Sequence, residues 1–166
     1  MSSPPYTPLD AARALYAVLP RACPPERLEE YGISSTPGQA HQILRELLAL
    51  GLFWAGAAVE SVLPPRHAPS VMAELRTCIQ NSLSAELGLD PTEAAGFFEE
   101  AERRGRRYQE IVRERGAPVA VATEAAAHLE EIGAIRPEDR HKALALIIDL
   151  TPVDELGDLV QEVDLD

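Results

Sequence analysis

Thr7-Pro8-Leu9-Asp10 is a complete helix-opening phrase, and the chain repeats it as Thr36-Pro37-Gly38-Gln39, Asp90-Pro91-Thr92-Glu93 and Thr151-Pro152-Val153-Asp154. In each, an oxygen-bearing side chain can accept from the first free N–H groups of a helix. Proline follows where no N–H is needed, and beyond it an acid or amide stands three residues after the cap, able to bond back to it. Apolar residues recurring every three or four positions follow each phrase. That period belongs to amphipathic helices. The phrases therefore predict an all-α fold, a single-domain bundle of about eight to nine antiparallel helices, with repeat-like stacking of helical hairpins as a variant.

Outward from these phrases, the pattern divides into a flexible N-terminus over 1–6, a helical domain over 7–150 and an acidic C-terminal helix and tail over 151–166. Helices are expected over 8–19, 25–31, 37–50, 52–63, 70–87, 91–115, 118–132, 137–150 and 152–163. Gly32, Gly88 and Gly133 stand where left-handed caps are wanted, and Gly51 is expected to break the third helix from the fourth. The sixth helix presents Ala94, Phe98, Ala101, Gly105, Tyr108 and Val112 at alternating steps of four and three, a spacing suited to a packed seam. Gly96 and Gly105 each cost that helix about 1 kcal/mol relative to Ala, which a close helix approach would explain. The run Ala143-Leu144-Ala145-Leu146-Ile147-Ile148 is apolar all round and is expected at the centre.

Composition narrows the classes of function. The 166 residues are 46% apolar and only 5% aromatic, so the core is built mainly from Leu, Ala, Val and Ile. Acids outnumber bases by 27 to 15, a formal charge of −12. Such a surface repels nucleic acid and anionic lipid and attracts basic partners. Cys23 and Cys78 have no framework of further cysteines around them, and no secretion signal is visible. Both point to reduced thiols in a cytoplasmic protein. The most apolar segment, 47–59, is bounded by Glu46 and Glu60 and is too short by itself to cross a bilayer.

Two charged segments stand out. Arg103, Arg104, Arg106, Arg107, Arg113 and Arg115 cluster on the sixth helix, but Glu99, Glu100 and Glu102 stand four residues before the first three. That order favours helical ion pairs and a solvated, self-paired face. The 149–166 segment does the reverse, with seven acids and no base. There Asp154, Asp158 and Glu162 recur every four residues and repel by about 0.2–0.5 kcal/mol per pair. With Glu155 they form the candidate partner-binding face, and Phe53-Trp54 is a second candidate as an apolar anchor.

Tyr31-Gly32-Ile33-Ser34 followed by Gln42-Ile43-Leu44-Arg45-Glu46-Leu47-Leu48-Ala49-Leu50-Gly51-Leu52-Phe53-Trp54 resembles the turn and recognition helix of winged-helix regulators. The resemblance implies a DNA-binding transcription regulator, although only Arg45 on that helix is basic and Ala55-Gly56-Ala57-Ala58 follows where a basic wing would stand. The same residues also resemble a helical-repeat hairpin, with a turn at Leu50-Gly51, a small packing residue at Ala57 and a stop at Pro64. A weaker echo runs over 129–150 through Gly133, Pro137 and Ala143.

Catalytic and metal motifs are missing from the sequence as such. His41, His67, His128 and His141 are widely separated, and there is no phosphate-cradling glycine loop or nucleophile elbow. His41 or His128 can meet a carboxylate only after folding. The expected function is a non-enzymatic adaptor, inhibitor or immunity-type protein that needs no cofactor and grips a basic protein through its acidic end, with a homo-oligomer left open. The alternatives are the DNA-binding regulator and a small helical enzyme or metal-binding protein whose site is assembled from distant residues.

Overall fold

The structure, a computed structural model, describes residues 6–165. Apart from Tyr6, the N-terminal stretch expected to be flexible lies outside these residues. The chain is an all-α bundle: α1 (Pro8–Val18), the short α2 (Pro25–Glu29), α3 (Pro37–Val62), α4 (Ala68–Leu87), α5 (Pro91–Arg115), α6 (Pro118–Glu131), a 3-10 turn at Pro137–Asp139, α7 (Arg140–Leu150) and α8 (Val153–Glu162). Seven helices among the described residues have ten residues or more, slightly fewer than expected.

The helix starts follow the capping chemistry in three of the four phrases. Thr7 and Asp10 form a reciprocal capping box. Thr36 N–H donates to Gln39 Oε1 at 3.0 Å while Gln39 N–H donates to Thr36 Oγ1 at 3.1 Å, and Asp90 with Glu93 repeats the exchange. The fourth phrase fails. Thr151 ends α7, its backbone N–H bonding to Ile147, so α8 starts only at Val153 behind an uncapped Pro152. The Thr151 hydroxyl is left buried without a hydrogen-bond partner. Thr151 is itself extended, at φ −97° and ψ 107°, but Pro152 after it, at φ −84° and ψ 61°, lies outside the helical region, so the helix begins one residue later than the phrase predicts.

Gly51 does not break the third helix, and the two helices expected over 37–50 and 52–63 are one. A glycine costs a helix interior about 1 kcal/mol, whereas burying a single Leu or Val stabilises by roughly 1.5–3 kcal/mol. Leu47, Leu50, Leu52, Ala55 and Val59 are all buried around it, so tertiary burial overrides local propensity. No turn exists at Leu50-Gly51, which removes the repeat-hairpin reading, and Ala55-Gly56-Ala57-Ala58 is helix where a wing would stand. At 26 residues α3 is long and apolar enough to cross a membrane by length and composition alone. Yet 61% of its most apolar window is buried inside the protein, as in a core helix. Elsewhere the glycine reading holds: Gly88 and Gly133 end their helices at φ 64° and 77°.

The chain forms two compact units. The first comprises Met1–Leu19, Leu52–Gly96 and Pro152–Asp166. In it α1 packs against α4 and α8, and Tyr6 N–H donates to Asp164 O at 2.7 Å. Leu15, Val71, Leu75, Ile79, Leu156 and Val160 are buried there. The second comprises Pro20–Gly51 and Phe97–Thr151. In it α6 packs against α7, and the Asp139 carboxylate, fully buried, accepts from Lys142 Nζ at 3.1 Å and Arg136 Nε at 3.0 Å. Lys142 also donates to Gly32 O, which ties α7 to the turn after α2. These donors hold Asp139 below its ordinary carboxylate value, the Lys142 hydrogen bond most of all. α7 is not central, contrary to its all-round apolar sequence. It buries Ala143, Leu146 and Ile147 but leaves Ile148 50% exposed.

Candidate functional site

The side chains that the sequence scattered meet in the second unit. Glu46 lies in the apolar stretch of α3 between Ile43 and Leu50, both buried, and is itself only 5% exposed. Facing it from α5 is Arg104, whose Nε is 3.4 Å from Glu46 Oε1. The Arg104 guanidinium also donates to the Tyr108 hydroxyl at 3.1 Å and stands 5.0 Å from the centre of that ring. From α6, His128 Nε2 lies 3.9 Å from Glu46 Oε2 and 3.8 Å from Glu100 Oε1. Glu124 closes the group, paired to Arg107 at 3.3 Å.

This placement corrects the expected seam of α5. The buried positions are Ala94, Phe97, Ala101, Tyr108 and Ile111, and Arg104, with its side chain 12% exposed, completes their three-four spacing. The sequence reading put Phe98, Gly105 and Val112 there instead. Gly105 and Gly96 have open space beside them, so no close helix approach explains them. The self-paired face is real for Arg103 with Glu100, Arg106 with Glu102 and Arg107 with Glu110. Arg104 departs from it and turns inward.

Burial governs the electrostatics. Removal from water pushes Glu46 up from 4.5 to about 7, although Arg104 pulls the other way; Glu100 and Glu124 add to the rise. His128 moves in the opposite sense, held below 6.5 first by burial and then by the Arg104 charge. Near neutral pH the cluster thus favours a protonated carboxyl beside a neutral imidazole. The Glu46 carboxyl can exchange a proton there, which a glutamate in water does not. Among the described residues no group of three His, Cys, Asp or Glu side chains is arranged to hold a metal ion.

The residues singled out from the sequence lie elsewhere. Asp154, Glu155, Asp158 and Glu162 are exposed on α8, whose opposite face buries Leu156 and Val160. None of the four has an ion-pair partner among the described residues. Phe53 and Trp54 are partly buried and meet edge to face at 5.0 Å. His41 and His141 are exposed; of the four histidines, His128 is the one that reaches carboxylates. Cys23 and Cys78 are free thiols, and burial pushes Cys23 up. Sequence reasoning missed Glu46 and Tyr108 as site residues. The available signal was a lone acid on an inward position of an otherwise apolar helix.

Comparison with known family models, with curated proteins and with solved structures finds no match.

Proposed function

We propose that the protein acts by binding a basic protein surface through the outward face of α8, without chemistry of its own. The observation that carries this reading is the state of its carboxylates. Asp154, Glu155, Asp158 and Glu162 are exposed on one amphipathic helix, without cationic partners, while Arg103, Arg104, Arg106 and Arg107 are each occupied by an acid of the protein itself. Asp158 and Glu162 also lack the helix N-terminus that favours Asp154 and Glu155 in the first turn. A cationic partner would relieve the repulsion along the face. It would also be drawn to it over about one Debye length, roughly 10 Å at 0.1 M salt.

The test is an NMR titration of the isotopically labelled chain with an arginine-rich peptide at low and high salt. The expected result is shifts concentrated on α8, weakened by salt and abolished in Asp154→Asn/Glu155→Gln/Asp158→Asn/Glu162→Gln. Shifts spread evenly over every acid of the protein, or unchanged in that variant, refute the reading.

A second reading, a site assembled from distant residues, is favoured by the convergence of Glu46, Arg104 and His128. Tyr108 is fully buried, Glu46 nearly so, and the Arg104 and His128 side chains are 12% and 16% exposed. Such enclosure suits the exchange of a proton better than the entry of a reactant.

A further inference from the structure

We propose that Glu46, Arg104 and His128 form a proton-binding site that makes the packing of α3, α5 and α6 in the second unit respond to pH. The geometry leaves the Glu46 carboxyl incompletely served. Its Oε1 receives one long contact from Arg104 Nε, and its Oε2 faces His128 Nε2 beyond hydrogen-bond reach. An ionised carboxylate so enclosed is costly unless it is fully hydrogen-bonded, and a proton is the cheapest remedy.

Both α5 and α6 present charge to Glu46. Arg104 and Glu100 come from α5, with Tyr108 engaging the far side of the guanidinium, and Glu124 comes from α6 beside His128. His128 in turn feels Arg104, Glu100, Glu124 and Glu131. Three states follow. In alkaline solution the ionised Glu46 holds α5 through Arg104 alone. At intermediate pH the carboxyl is neutral, and the imidazole is neutral beside it. In acid the imidazolium of α6 stands within 4 Å of Glu100 on α5, a link that the neutral ring cannot make. Burial and like-signed Arg104 oppose that last state, so it requires more acid than an ordinary histidine does.

The experiment is an NMR titration of the full chain, following the glutamate side-chain carboxyl carbons, the His128 ring and the backbone amides. One glutamate is expected to titrate near 7, well away from the ordinary value of 4.5, and its signal should vanish in Glu46→Gln. Amides of Leu47, Ala101 and Ala125, one from each helix, should shift with the same midpoint in the wild type and not in Glu46→Gln. His128→Gln should leave the Glu46 transition in place and remove the more acidic one. Glutamates that all titrate in the ordinary range overturn the proposal, and this arm needs no variant. A Glu46 transition near 7 that moves no amide of α5 or α6 also overturns it, because the proton would then be bound without a response.

Discussion

Replacing Glu46 by Gln keeps the size of the side chain and removes its titration, so it isolates what the buried charge costs. Glu46 has a folded-state value raised from 4.5 to about 7. A group raised on folding contributes stability that is fully present below its unfolded value and lost as pH climbs through its folded value. The whole interval corresponds to about 3 kcal/mol at about 1.36 kcal/mol per pH unit, and about 2.5 kcal/mol of that falls between pH 5 and 8. Glu46 is almost fully buried, so solvent screening takes little from the figure. His128, Asp10 and Asp139 are all lowered, which gives the opposite dependence: their contributions are present at higher pH and lost in acid. The measurement is therefore a difference between two proteins, in which those contributions cancel. Urea unfolding of wild type and Glu46→Gln, followed by far-UV circular dichroism at pH 5 and pH 8, should show the variant gaining about 2–3 kcal/mol on the wild type over that interval. Trp54 lies in the first unit, so its fluorescence provides a parallel probe of the part of the chain without Glu46. Stability curves that run parallel across the interval would refute the reasoning.

The same unfolding assay checks three further expectations. Thr7→Ala, Thr36→Ala and Asp90→Ala each remove a reciprocal cap and should cost about 1 kcal/mol, whereas Thr151→Val should be neutral or stabilising because its hydroxyl is buried without a partner. Gly105→Ala should stabilise by about 0.5–1 kcal/mol, since a methyl group there meets nothing within 4 Å. Glu46→Leu with Arg104→Leu should retain the helix content while doubling or broadening the NMR signals of Phe97 and Phe98. A single sharp set with Phe97 still buried would mean that the ion pair does not fix the rotation of α5.

Much of the fold was legible because its signals are local. Thr7, Thr36 and Asp90 carry within four residues all that a helix start requires, and the apolar period then continues the helix without reference to anything distant. Legibility failed where a second element decides the outcome. Gly51 reads as a breaker until the burial of Leu47, Leu50, Leu52 and Val59 is counted against it. Thr151 reads as a cap, but it closes α7 and Pro152 after it is not helical, so α8 starts one residue late. The acidic face of α8 was readable because it depends only on residues four apart on one helix.

The candidate site illustrates the same limit most sharply in α5. Phe97 and Phe98 are adjacent and equally apolar, as are Ile111 and Val112, so the helix contains two stripes of three-four spacing that share Ala94, Ala101 and Tyr108 and differ by one residue at the alternate positions, a rotation of about 50°. Hydrophobicity alone cannot choose between them. One stripe passes through Gly105 and costs nothing in charge; the other passes through Arg104, which has to be enclosed. The costly stripe is the one buried, and the reason lies on another helix. Glu46 occupies an inward position of α3 and would be an isolated buried carboxylate if α5 presented Gly105 to the interior. With Arg104 there, each charge answers the other, and the Tyr108 hydroxyl one turn further on accepts from the guanidinium Nη2. Two residues 58 positions apart in sequence thus decide a rotation that neither helix specifies by itself. The same pairing supplies the enclosed carboxyl beside His128 on which the response to pH depends.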